Sequence, residues 1–421
     1  MNNYLEKLNK TFYEKYINYF ILLYAFCLPI SRAGVSLSVL SVFLLWILEA
    51  DFKRKYFEIK NNYFILTIFI FIVYSFIAIL WSSDKIFAIE YVKKYYHFLI
   101  IPIIFTSLKK DYIDKVFSAF LLGMLISEIT SYGIFFELWT KEGVSPNDPS
   151  PFMDHSNYST YLAFTVFILM HKIIYTDDFK WKIAYSIFFL FSTSNLFING
   201  GRTGQFSFLI ALCLIGFLNF KNKIKATIGF LILATIIFSS AYNISPVFKD
   251  RFDYFLHDVE VMINEKDFSN SFSLRVALWI SGLEASKHNL IFGSGIGDEK
   301  INTNEMREKY NIPDIFSSID TRNYIDFHNM FIQYLVQLGI VGLILISLIF
   351  YFLIKIKIEN KIYRNLLYLF IVLYILHSML GLSFHITQAI LLFVLFSSIF
   401  ITIDKYEKEN INKIHNSDKK C

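Results

Sequence analysis

Apolar runs long enough to enter a membrane recur along the chain, near 17–31, 35–50, 63–82, 95–108, 116–137, 159–175, 182–198, 205–219, 224–242, 329–354, 364–382 and 385–403. A helix needs about 20 predominantly apolar residues to cross the hydrocarbon core, so the pattern predicts twelve spans with both termini on one side. One connection breaks this rhythm: between the ninth and tenth runs lie 85 mostly polar residues, 243–327. Within it, 273–286 reads as an amphipathic helix, with Phe272, Val276, Trp279 and Leu283 spaced by 4, 3 and 4 residues. Such a helix is expected to lie on the outer leaflet surface. It stops before Gly293, Gly295 and Gly297, a cluster that ends helices and lets backbone approach closely. The expected organisation is therefore 1–242 with nine transmembrane helices, a helical outer loop over 243–327, three more helices over 328–403, and a solvated tail over 404–421. No repeat of 20 to 50 residues is visible, and the first six spans do not echo the last six.

Composition sharpens the class. The 421 residues are 55% hydrophobic and only 18% charged, against roughly 45–50% apolar and about 25% charged in soluble domains. An all-α polytopic membrane protein follows, and a cytosolic enzyme is excluded. The net charge of +5 acquires meaning only by position. Of the 40 Lys and Arg, 25 fall on the seven segments that share a side with the N-terminus, 6 on the short opposite connections and 9 in the long loop. Cytoplasmic loops retain basic residues, so both termini are expected inside and the long loop outside. The excess charge is an orientation signal and gives a nucleic-acid partner no support. Cys27 and Cys213 lie in apolar runs and Cys421 ends the chain, so neither a disulfide framework nor a CxxC site is expected. The run before Pro29-Ile30-Ser31-Arg32 lacks a small-x-small cleavage pattern and reads as an uncleaved span.

Candidate chemistry gathers on the outward side. Asn199-Gly200-Gly201-Arg202-Thr203-Gly204 joins spans seven and eight with almost no linker; its amides could form an anion nest with the guanidinium as a bidentate phosphate donor, or it is a plain hairpin with an arginine snorkelling to headgroups. The long loop holds 9 basic against 14 acidic residues, so Arg275 is not part of a cationic coat. Near the start of the loop helix, it stands where free amides and the helix dipole favour a diphosphate; the plainer reading is a surface arginine on lipid headgroups. His328, where the loop meets span ten, is placed to act as a general base, with Asp326 to orient its ring; alternatively it is an interfacial histidine bonded to a neighbouring loop. His155, after a Pro-, Asp- and Ser-rich connection, lines an outward cavity or simply caps a turn. Glu128, His377 and His385 sit in or beside spans and suggest a bundle interior, which keeps a proton-coupled transporter open. No HExxH or Asp-x-Asp metal motif occurs, so neither a metal nor another cofactor is expected.

Taken in order, Gly200-Gly201-Arg202-Thr203, Arg275-Val-Ala-Leu-Trp279 leading to Ile291-Phe-Gly293-Ser-Gly295-Ile-Gly297, and His328-Asn329 with Gln333 and Leu338-Gly339-Ile340-Val341-Gly342 resemble the O-antigen ligase and polymerase superfamily, from Gly200 to Gly342. The twelve spans and the loop between spans nine and ten resemble its ligase branch. Pro29 after span one and His155 before span six add weaker support. The resemblance implies an integral-membrane glycosyltransferase of GT-C-like architecture in the bacterial inner membrane. It moves a glycan from undecaprenyl diphosphate to a sugar hydroxyl of lipid A-core at the periplasmic face. It implies diphosphate binding by Arg202 and Arg275, catalysis by His328 and Arg275, and a site lined by Asn329, Trp279 and His155. The partners it implies are the undecaprenyl diphosphate-linked glycan, the lipid A-core acceptor and membrane lipids, with no cofactor.

An O-antigen polymerase or a protein O-oligosaccharyltransferase of the same superfamily would share these motifs and differ in acceptor. The loop length and the lack of a soluble C-terminal domain favour the ligase over the protein-modifying branch. A twelve-span transporter would show pseudo-repeated halves and a central inward loop, whereas this loop is off-centre and outward.

Overall fold

The computed structural model describes residues 2–299 and 325–418. All twelve apolar windows fall on helix. Six of these helices are long and apolar enough to cross a membrane by length and composition, and a bent pair, Arg32–Leu48 with Phe52–Lys60 at 114°, makes a seventh. The protein is therefore a helical membrane protein, and the twelve-span count stays an expectation. The window 95–108 departs most, being a 3-10 turn, Lys94–Leu99, followed by the short helix Ile100–Ser107.

Polar residues in the connections start the helices. Asp154 accepts from Asn157 N–H at the start of His155–Tyr175, and Asn222 accepts from Lys225 N–H at the start of Lys223–Ile244. Ser245 caps the next helix, Pro246–Asn264, whose proline occupies the first turn, where no partner for its nitrogen is needed. In chain order the elements that build the site are α1 (His155–Tyr175), α2 (Phe179–Ile198), α3 (Arg202–Asn219), α4 (Pro246–Asn264), α5 (Ser271–Ala285) and α6 (Met330–Ile354). The last helix, α7 (Thr387–Asp418), is buried along almost all of 389–403 and forms the centre of the bundle. It continues unbroken through residue 403, and just beyond it Lys405 donates to Glu58 and to the Phe105 carbonyl, while Tyr406 donates to the Leu108 carbonyl. The start of the tail is thus packed rather than solvated.

The helix α6 is not continuous. Gly339 has φ 68° and ψ −164°, and the chain resumes its helix only beyond it. Main chain freed by such a break inside a membrane needs partners, and the glycine-rich segment supplies them. Ser294 N–H donates to the Val336 carbonyl at 2.8 Å and Gly295 N–H to Gln337 at 3.1 Å, while Ile340 N–H donates to the Leu290 carbonyl at 2.8 Å and Val341 N–H to Ile291 at 3.4 Å. Tyr74 donates to the Leu338 carbonyl at 3.0 Å. The segment is pinned from the other side by Ser82, which accepts from Ile296 N–H, and by Asp298, which accepts from Ser83 N–H.

The loop helix α5 corrects its expected face. Its buried stripe is Ser273, Ala277, Leu278, Ser281, Gly282 and Ala285, whereas Leu283 is exposed and Phe272, Val276 and Trp279 are half-buried. Small residues win the inner face because α5 packs directly on α6: a Cβ at Gly282 would meet Ile332 and Phe327.

Candidate active site

Three arginines converge at one end of the bundle. Arg202 is the first residue of α3, held there by the close seating of Gly201 and Gly204 against Ser159 and the His155 carbonyl of α1. Arg275 lies in the second turn of α5, and Arg251 projects from α4. Burial lowers the Arg202 pKa from its ordinary value, and the like charges of Arg275 and Arg251 lower it further against the pull of Asp258. Burial likewise lowers Arg275, opposed by Asp326. The Arg275 Nε is buried without a hydrogen-bond partner. Among the described residues none of the three guanidinium groups makes a hydrogen bond or an ion pair. Like charges brought together, with Arg202 and Arg275 partly desolvated and no carboxylate bonded to them among the described residues, are a costly arrangement that a multiply charged anion would relieve.

Two expected anion-binding devices are already occupied. In the turn before α3, Gly200 N–H donates to Asp148, Gly201 N–H to Asn199, Arg202 N–H to the Gly200 carbonyl and Gly204 N–H to Ser159. The glycines there serve close helix packing, and the turn offers the Arg202 side chain rather than an amide nest. At the N-terminus of α5, Phe272 N–H donates to the buried Asp258 carboxylate at 3.0 Å, so the dipole end carries an anion of the protein itself.

His328 stands in a left-handed conformation, φ 49°, immediately before the cap of α6, with its side chain 42% exposed. Asp326 Oδ1 accepts from His328 N–H at 2.7 Å but lies 3.9 Å from Nδ1. It therefore fixes the main chain of the turn rather than the ring. Trp279, one turn beyond Arg275, donates from its indole to the Phe327 carbonyl at 3.0 Å, which ties α5 to the segment bearing His328. Asn329 is turned inward as the cap of α6, accepting from Phe331 and Ile332 N–H. His155 bonds Asp148 at 3.0 Å, and Asp148 also accepts from Gly200 N–H at 3.2 Å, so this pair anchors the Arg202 turn. The Asp148 hydrogen bond raises the His155 pKa against burial. Burial works to raise Asp148, but the hydrogen bonds from His155 and Gly200 outweigh it and hold the carboxyl below its ordinary range.

The other ionisable groups singled out earlier lie elsewhere in the bundle. Glu128 is buried and accepts from Ser192, His377 bonds Ser383, and His385 bonds Lys94 while stacking on Tyr91. No group of three or more His, Cys, Asp or Glu able to hold a metal occurs among the described residues.

With this geometry in view, one comparison is decisive: residues 187–347 match the family model described as O-Antigen ligase. The match supports the O-antigen ligase superfamily. The matched stretch runs from within α2 to within α6 and contains Arg202, Arg251, Arg275, His328 and Gly339. Comparison with curated proteins gave no match. At superfamily level the match implies a glycosyltransferase-like membrane enzyme of O-antigen biosynthesis. For such an enzyme, Arg251, Asp148, Asp258 and Glu299 are the residues that sequence reading passed over. None of the four carried a clear signal, Arg251 being one of four arginines in a predominantly acidic loop.

Proposed function

We propose that this superfamily member is an O-antigen ligase, which transfers a glycan from undecaprenyl diphosphate to a sugar hydroxyl of lipid A-core at the periplasmic face of the inner membrane. The convergence of three unpaired arginines beside the His328 turn supports this reading above all. In the proposed step the acceptor oxygen attacks the anomeric carbon, and the bond from that carbon to the diphosphate oxygen breaks. The hydroxyl proton passes to His328, and Arg202 and Arg275, with Arg251 beside them, take up the charge growing on the departing undecaprenyl diphosphate. Charge stabilisation of this kind is usually the largest catalytic contribution, and general-base assistance adds about 10²- to 10⁴-fold. The guanidinium groups supply counter-charge without a divalent cation. Trp279 and His155 act on the supports of the site, and Asn329 fixes the helix start behind His328.

The test combines a strain lacking the gene with restoration by wild type, His328→Ala or Arg275→Lys, read as surface lipopolysaccharide and lipid-linked glycan. Full-length glycan stranded on its carrier above bare core is expected without the gene and with His328→Ala. Arg275→Lys keeps the charge and loses the planar fork, so transfer should fall by about 10- to 100-fold. Core capped by a single repeat would instead identify a polymerase. An unchanged profile would point to protein glycosylation or transport, and normal transfer by His328→Ala would remove the base.

A further inference from the structure

Glu299 has no part in the chemistry proposed above, yet its carboxylate is fully buried and four N–H groups converge on it. Oε1 accepts from the Gln337 amide at 2.6 Å, the Gln333 amide at 3.1 Å and Gly297 N–H at 3.3 Å, and Oε2 accepts from Ile325 N–H at 3.3 Å. Gln333 also donates to the Ile325 carbonyl at 3.1 Å and accepts from Phe327 N–H at 3.0 Å. One carboxylate thus joins three parts of the molecule: the glycine-rich loop, the broken helix α6 and the residues leading into His328.

We infer that Glu299 is the positioning residue for His328, holding 325–328 in the turn from which the imidazole meets the acceptor hydroxyl. This rests on the reading of His328 as the base. Among the described residues the four groups bonded to Glu299 all donate to it, so the ionised carboxylate suits them better than the acid, whose proton none of the four, as bonded, would accept. Among the described residues, the elements around it bring few other charges. Asp298 beside it is tied to Ser83, the 82–83 turn offers hydroxyls, α6 offers the two glutamine amides, and the held segment carries Asp326 and His328. Burial, opposed by the hydrogen bonds of Gln337 and the backbone, raises the Glu299 pKa to about 7, so the fitting form is lost as pH falls through neutrality.

The experiment is a pH–rate profile of glycan transfer by the full-length protein in detergent, comparing wild type, Glu299→Gln and His328→Ala, each confirmed monodisperse. Two groups must be deprotonated in the wild type, so log rate should fall with a slope approaching two on the acid side. Glu299→Gln should lower the rate at pH 8 by about 10- to 100-fold, the scale of a small misplacement of a reacting group, leave the donor KM within about threefold, and reduce the acid slope to one. A Glu299→Gln protein with wild-type rate and acid slope would overturn the inference while an inactive His328→Ala left the ligase reading standing. Near-normal turnover by His328→Ala would sink that reading and the inference with it. Should Glu299→Gln fail to fold, Gln337→Ala, which removes the shortest of the four hydrogen bonds, takes its place, and a wild-type rate in it overturns the positioning role.

Discussion

Two glycine-rich segments frame the site, and they use glycine for different reasons. Around Arg202, Gly201 and Gly204 have no unusual φ; what they lack is a Cβ, which would press into Ser159 and the His155 carbonyl. Around the docked loop, Gly293, Gly295 and Gly297 have φ of 78°, 103° and 92°, and Gly339 opposite them has φ 68°, so here the backbone conformation itself demands glycine. Arg202 is therefore placed by contact between two helices, and His328 by a hydrogen-bonded loop and a broken helix. Under the proposed function, this division would give a rigid clamp for the departing group and a turn held by polar contacts for the base.

The sharpest way to break the comparison is at Gly339. Alanine there would combine a forbidden backbone conformation with a Cβ driven into the Ile291 carbonyl. Gly339→Ala should cost about 3 kcal/mol or more, seen as loss of monodisperse protein or a steep drop in melting temperature. Next comes Gly204→Ala, whose φ is ordinary but whose Cβ meets the Ser159 backbone; overpacking of this kind costs about 1–3 kcal/mol. Gly143→Ala is its reference, with φ 74° and nothing within 4 Å of the added carbon, and should cost about 1 kcal/mol. Equal losses at 204 and 143 would show that space is not what the Arg202 turn requires.

The smallest effect concerns the Asp148–His155 pair behind that turn. His155 has a raised folded pKa, so its contribution is complete below its unfolded value of about 6.5 and is lost as pH rises through the folded value. Asp148 has a lowered one, so its contribution is present above its unfolded value and is lost as pH falls through the folded value. With His155 about half exposed the pair is worth about 1 kcal/mol or less. The melting advantage of wild type over His155→Ala should peak near about pH 5–6 and vanish by about pH 9. An advantage that grew with pH would show that Asp148 holds the turn without its histidine.

Helices and their caps are legible in the sequence because apolar run length and a preceding Ser, Asp or Asn are local properties. Arg202, Arg275 and His328 stand out in the same way, each a lone basic group in a short motif. Arg251 does not, since Lys249-Asp250-Arg251 looks like ordinary surface charge until α4 is laid beside α5. The break at Gly339 is hidden in a predominantly apolar run, where hydropathy carries no record of backbone conformation. The burial of Glu299 is hidden too, because its donors come from Gly297, Ile325, Gln333 and Gln337, and only the fold brings these together. The expected inner face of α5 differs from the observed one because large apolar residues mark a face by hydrophobicity, while close packing against α6 selects small ones.

The reciprocal bonding between 290–295 and 336–341 also makes the loop a cooperative unit. Lifting it would strip two amides and two carbonyls from each partner at once, beside a lipid interior that offers no replacement. The amide protons of Ser294, Gly295, Ile340 and Val341 should then exchange with solvent together, in a single opening event. Turnover that leaves the loop seated would keep all four protected throughout the catalytic cycle, so their exchange is a direct clock for whether the site ever comes apart while it works.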